Sequence, residues 1–280
     1  MDCGPREARE LLSFYRDAGV DALLAETPAD RMAEKPIAAP PPAEKPVTSP
    51  RVAPKVFFQA GTGRSAPPVS GEGRTAALPP PDVAAMAARE AAASAKSLDE
   101  LRALLESFQG CALRATATRL VFADGNPQAR LMFVGEAPGY EEDISGKPFV
   151  GRSGKLLDLM TAAIGLDRGS VYIANVVPWR PPGNRTPTPQ ETAICLPFIR
   201  RQIELANPDV LVCLGGPSAQ TLLGIRDGIT RTRGRWFPYD TGTREIRAMA
   251  TLHPAYLLRQ PLQKRLAWRD FLAIKKALAT

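Results

Sequence analysis

From about residue 82 onward the chain alternates short, continuous apolar runs with longer helical segments, and few folds accommodate that pattern. The runs are Arg130–Val134 (RLMFV), Val171–Val177 (VYIANVV), Asp209–Leu214 (DVLVCL) and Ile246–Leu252. Each is short and apolar at successive positions, as strands of a parallel sheet covered on both faces are. Ser153–Ile164, Pro189–Ala206, Ser218–Leu223 and Leu262–Leu278 read as the intervening helices. The alternation predicts a three-layer α/β/α sandwich with a central, mostly parallel sheet of about four strands. Asp82–Gln109, rich in Ala, Glu and Leu, predicts further helix, broken near Ser97.

Upstream the composition changes. Residues 1–34 read as an N-terminal helical segment, with Leu11, Leu12, Phe14, Tyr15, Leu23 and Leu24 as its apolar positions. Residues 35–82 hold twelve of the chain's 28 prolines, too little apolar surface to offset the entropy of ordering, so a disordered linker is expected there. The globular domain is expected over 83–280. No apolar run approaches the roughly 18 residues that span a bilayer, and the N-terminus lacks a signal-peptide core. A cytoplasmic protein without membrane association is therefore expected, bacterial in type and used at the nucleoid. Four scattered cysteines suggest reduced thiols rather than a disulfide framework. A formal charge of +7 suits a polyanionic partner, though many basic proteins bind none.

The chemistry-bearing residues cluster where strands hand the chain to loops, the edge at which open α/β sheets bind ligands. The first strand runs into Gly135-Glu136-Ala137-Pro138-Gly139, a tight turn whose backbone N–H groups can face an anion or a carbonyl oxygen. Four acidic residues (Glu136, Glu141, Glu142, Asp143) follow, and they would repel phosphate. They suit a centre that develops positive charge, or activation of a water; acidic residues also favour helix N-termini, the reading preferred for Glu141. Phe149, in GKPFVG, is a candidate stacking platform for a base, or a plug for the domain edge. Asn175, at the end of the second strand, offers donors and an acceptor to a base edge. Arg180 and Arg185 lie in the Pro-rich loop that follows, either on phosphate or merely solvated. Gly215-Gly216-Pro217-Ser218 opens a helix whose N-terminus can take a phosphate. His253, the one histidine of the chain, begins HPAYLLR.

Taken in order, GEAPG, GKPFVG, YIANVVPWRPPGNRTPTPQE, VLVCLGG and HPAYLLR resemble the family 4 uracil-DNA glycosylases from about Cys111 to the C-terminus. The resemblance implies a monofunctional hydrolase of base excision repair that flips uracil out of single- or double-stranded DNA and leaves an abasic site. It implies that Phe149 stacks on the flipped base, that Asn175 reads its polar edge, and that backbone around Gly135, Glu136 and Ala137 holds a carbonyl oxygen. His253 would donate to O2 as negative charge grows there. Glu136 is the first choice for the carboxylate beside the cationic sugar, with Glu142 and Asp143 in reserve. Leu257 or Leu258 would wedge the duplex, with Arg259, Arg185, Gly216 and Ser218 on the backbone. A monomer is expected, with an unknown protein partner for the N-terminal segment.

The resemblance fails at one place. Members of the family typically hold a [4Fe–4S] cluster on four cysteines. Here the four matching positions are Cys111, Arg114, Trp179 and Cys195. Arg and Trp cannot replace thiolates, so no cluster, no metal and no other cofactor are expected; Cys3 and Cys213 are poor substitutes, and Trp179 is expected to fill the space. Covalent relatives trap the sugar on a second histidine in an inserted loop that this chain lacks. The competing expectations are a non-catalytic binder of uracil-containing or abasic DNA, a glycosylase for a broader set of deaminated bases, and a nucleotide enzyme; the last lacks any GxGxxG or Walker-type loop.

Overall fold

The parallel core of the fold grows from the four apolar runs. In a computed structural model, which describes residues 80–279, they form β2 (Leu131–Gly135), β3 (Tyr172–Asn175), β4 (Val210–Leu214) and β6 (Glu245–Thr251). Two further strands, β1 (Asp124–Gly125) and β5 (Trp236–Asp240), pair antiparallel on β3 and β6, so the sheet has six strands in the order β1-β3-β2-β4-β6-β5. The expectation of about four strands is corrected by these two edges. β1 is two residues long, and β5 shows mostly exposed residues, so neither carries a buried apolar run. The helical segment and nearly all of the linker expected over 1–82 lie outside the described residues.

Among the described residues, ten α-helices complete the layers: α1 (Pro81–Ser94), α2 (Leu98–Ser107), α3 (Leu113–Thr116), α4 (Tyr140–Ser145), α5 (Arg152–Ala163), α6 (Pro189–Ala206), α7 (Gly216–Leu223), α8 (Ile229–Thr232), α9 (Pro254–Arg259) and α10 (Lys264–Leu278). The break expected near Ser97 is an N-cap: its hydroxyl accepts from the Glu100 N–H at 3.2 Å, which satisfies one of the orphan donors of α2. α6 opens with a reciprocal box in which Thr188 and Glu191 accept each other's backbone N–H.

Because strand side chains alternate faces, each parallel strand feeds two cores. Met132, Val134, Ala174, Leu211, Cys213, Ala248 and Ala250 pack with Leu101, Phe198, Ile199 and Ile203 from α2 and α6. Leu131, Phe133, Ile173, Val212, Leu214 and Met249 pack with Leu157, Phe271 and Ile274 from α5 and α10. This is the expected three-layer sandwich. Since β2 lies between β3 and β4, the chain leaves it to one side, returns and continues on the other. A crevice therefore opens at the carboxyl ends of β2 and β4, the switch point of the sheet.

Candidate active site

The register delivers the functional residues. Gly135 and Asn175 are direct partners at the ends of β2 and β3, and the ladder continues past them, with Val176 N–H donating to Gly135 O at 3.0 Å and Val177 N–H to Glu136 O at 3.0 Å. On the other side, Gly215 N–H donates to Thr251 O at 2.8 Å, which fixes the turn after β4 against the end of β6, two residues before His253. The result is a cleft of about 650 Å³ lined by Glu136, Ala137, Glu142, Phe149, Asn175, Gly216, His253 and Arg259 among others.

Gly135 is glycine because two side chains occupy its space. An added Cβ would lie 2.5 Å from Asn175 Oδ1 and 2.7 Å from the Phe149 ring. Gly135→Ala therefore displaces both groups; we expect kcat/KM to fall by about 10²-fold, the order that small misplacements cost, in steady-state assays with folding checked by circular dichroism.

Phe149 is 5% exposed, and its ring centroid lies 5.5 Å from that of His253. Its φ is +53°, a left-handed conformation that costs an aromatic residue about 1–3 kcal/mol. Several contacts hold it there. Glu142 Oε1 accepts from the N–H groups of Val150 and Gly151 at 3.0 Å each, and its Oε2 accepts from Gly139 N–H at 3.1 Å. Gly154 lets the Phe149 carbonyl approach, since a Cβ there would sit 1.8 Å from that oxygen. Arg168 donates to the carbonyls of both Pro148 and Phe149. Sequence reasoning missed Arg168, because nothing local marks an arginine that reaches back twenty residues.

The carboxylates separate by their partners. Glu142 is spent on the three N–H groups of its two loops. Asp143 accepts from Thr118 N–H, Thr118 Oγ1 and Arg119 N–H at 2.8, 3.0 and 3.2 Å; it is buried under α3's following loop and is absent from the cleft lining. Both carboxylates are thus taken up by loop donors, Glu142 on the cleft wall and Asp143 away from it. Glu136 is different: its Oε1 is buried without a hydrogen-bond partner, and desolvation raises its pKa above its ordinary value. Asn175 Oδ1 is likewise buried and unpartnered. Buried polar atoms are rarely left so, and these two share one cleft.

His253 caps α9: its Nδ1 accepts from Ala255 N–H at 3.1 Å. Burial, with the nearby Arg259 guanidinium, pushes its pKa down to about 4. The ring is therefore neutral at physiological pH, and since Nδ1 is an acceptor the proton sits on Nε2.

Several expected DNA contacts are placed elsewhere. HPAYLLR forms a helix, not a loop, and Leu257 is 0% exposed, packed with Leu252 and Ala267; it cannot serve as a wedge, whereas Leu258 and Arg259 reach the surface. Ser218 is buried and donates to Val134 O at 2.7 Å, so its hydroxyl is not available to a phosphate. Gly216 stays on the cleft rim. Arg185 grips Glu191 at 2.6 and 2.8 Å, so its fork is already paired. Arg180 donates to Asn184 Oδ1 at 2.6 Å and lies over the Tyr140 ring.

The four positions that match cluster ligands do not fit an iron–sulfur cluster. Cys111 and Cys195 are both buried, and their thiols interact. That contact holds the Cys111 pKa down and pushes Cys195 well above its usual value. Arg114 turns to the end of α2, giving Nε and Nη2 to Glu106 O at 3.2 and 2.7 Å and Nη1 to Gln109. Trp179 is 2% exposed in the same core as the two thiols. Among the described residues, no group of three or more His, Cys, Asp or Glu side chains is arranged to hold a metal ion.

Comparison with known proteins agrees with the geometry. The profile of the Uracil DNA glycosylase superfamily matches residues 122–272. A type-4 uracil-DNA glycosylase of Archaeoglobus fulgidus is 41% identical over 180 residues, 63% of this chain and 90% of that protein. Similar proteins of the same description come from Thermotoga maritima, 47% identical over 53% of this chain and 77% of that protein, and from Sulfurisphaera tokodaii, 38% identical over 66% and 86%. With the cleft residues at one sheet edge and these matches across the same span, the chain belongs to the uracil-DNA glycosylase superfamily, among its type-4 members.

Proposed function

We propose that the protein is a monofunctional uracil-DNA glycosylase that works without an iron–sulfur cluster. The observation that carries the proposal is the convergence of Glu136, Phe149, Asn175 and His253 in one cleft, with unpartnered acceptors on Glu136 and Asn175. A base inside a duplex is out of reach of such a cleft, so the nucleotide is flipped into it, at a cost of a few kcal/mol. Phe149 stacks on the ring. Asn175 Oδ1 accepts from N3–H while its amide donates to O4, and the backbone of Gly135–Ala137 faces a carbonyl oxygen. As the C1′–N1 bond breaks, the electron pair leaves with uracil. The Nε2–H of neutral His253 then donates to O2, where that charge collects. The sugar becomes oxocarbenium-like; ionised Glu136 stabilises it, orients a water toward C1′ and accepts its proton. The products are an abasic site and the uracil anion, which takes up a proton to give free uracil as Glu136 returns to its ionised form.

Leu258, rather than Leu257, fills the gap in the stack, with Arg259 and the Gly216 turn nearest the phosphates. No helix among the described residues is long and apolar enough to cross a membrane. The same reading takes the enzyme to be a cytoplasmic monomer whose residues 1–34 recruit a partner protein.

A time course of uracil release from a labelled oligonucleotide, with iron content and visible spectrum recorded first, tests the reading. Multiple turnover by colourless, iron-free protein is expected. Activity that tracks bound iron would overturn the cluster-free mechanism. Tight binding without release would make the protein a binder of damaged DNA.

A further inference from the structure

We propose that Arg168 is a positioning residue for uracil release, whose guanidinium locks the Phe149 platform in its left-handed backbone. The inference rests on the stacking role given to Phe149 above. Arg168 stands at the start of the turn before β3 and is three-quarters buried. Its Nη1 donates to Phe149 O at 3.0 Å and to Asp158 Oδ1 of α5 at 2.8 Å, its Nη2 donates to Pro148 O, and its Nε donates to Asp124 Oδ2 of β1 at 2.6 Å. Two carboxylates on different elements thus aim one planar fork at two successive carbonyls.

Those carbonyls flank the strained residue. With φ at +53°, Phe149 returns to ordinary backbone unless its neighbours over-determine it. Glu142 holds the N–H groups that follow, and Arg168 holds the carbonyls at and before it. Only a guanidinium serves all four oxygens; an ammonium is a point charge on a flexible stem and lacks the planar fork. Arg168 does not line the cleft, so it acts through Phe149 and not on the base.

The test is a double-mutant cycle on full-length protein, using a uracil oligonucleotide. Arg168→Ala is expected to lower kcat/KM by about 10- to 100-fold, the scale of a small misplacement, and to weaken inhibition by free uracil. Affinity for uracil-free DNA should not change. In a Phe149→Ala background the same substitution should cost less than about 2-fold, because residues that act as a unit are not additive. A loss of equal size with and without Phe149, or an unchanged rate and unchanged uracil inhibition, would overturn the proposal. Full activity in Phe149→Ala alone would remove the stacking role and the proposal with it. Should Arg168→Ala not fold, Arg168→Lys, which keeps the charge and loses the fork, enters the same cycle under the same criteria.

Discussion

Replacing His253 with alanine should lower kcat for uracil release by about 10²–10³-fold, the scale of losing one preorganised donor to a developing oxyanion. The substitution also removes the cap that Nδ1 gives to α9, worth about 0.5–2 kcal/mol. His253→Asn separates the two effects: it restores an acceptor at the helix start and the melting temperature, and leaves kcat low. Recovery of both would mean that His253 acts by holding α9 and not by donating to O2. The pH dependence follows from its pKa of about 4. In the unfolded chain the ring titrates near 6.5. The folded state prefers it neutral, so this contribution to stability is complete above about pH 6.5 and is lost as pH falls toward 4. His253→Asn should flatten that part of the stability curve. Activity, by contrast, should show no histidine limb between pH 6 and 7, because the catalytic form is already neutral there.

Glu136→Gln should reduce turnover by about 10²–10⁴-fold, the range of a positioned acid or base, and should make the protein more stable at neutral pH. The reason for the second effect is the unpartnered Oε1. Desolvation raises the Glu136 pKa, so the folded state favours the protonated form more than the unfolded chain does. At pH 7 the ionised group destabilises the fold, and that cost disappears as pH falls through its raised pKa. Glutamine carries no charge, and a gain of about 1 kcal/mol is expected at pH 7, narrowing as pH falls through the raised pKa. The acid limb of kcat/KM should belong to Glu136 and vanish in the variant's residual activity. Thermal melts and pH–rate profiles on the two proteins read both effects. A variant equally active at pH 7 would leave no reacting carboxylate in the cleft, since Glu142 and Asp143 are already bound to loop donors.

Cys111 and Cys195 meet away from the cleft, among neighbours that are not thiols. The thiols and Trp179 lie in the core that joins α2, α3 and α6, with Arg114 at its edge. Trp179 contributes there a side chain able to bury some 150–250 Å², and Arg114 closes the end of α2. Packing and helix capping thus stand where thiolates would be needed.

Much of this architecture was written along the chain. Runs apolar on both faces could only be inner parallel strands, and four of them meant a sheet with helices on each side. GEAPG, Asn175 and His253 followed strand ends, and strands of one parallel sheet end together, so sequence order alone gathered them at one edge. The missing cysteines at 114 and 179 were likewise plain from identity. Contacts between distant segments were not. β1 is two residues long and carries no apolar signal, and Pro238 interrupts the aromatics of β5; both form because neighbouring strands offer free edges. Leu257 and Leu258 are adjacent and chemically identical; only helix α9 packing on Leu252 and Ala267 decides which is buried. Four acidic residues in eight positions looked interchangeable, until the fold supplied donors to Glu142 and Asp143 and none to Glu136 Oε1. Arg168 lay outside every motif because its role depends on Asp124, Pro148, Phe149 and Asp158 meeting around one guanidinium. The sequence determined which groups could do the chemistry, and the tertiary structure decided which of them were left unpaired to do it.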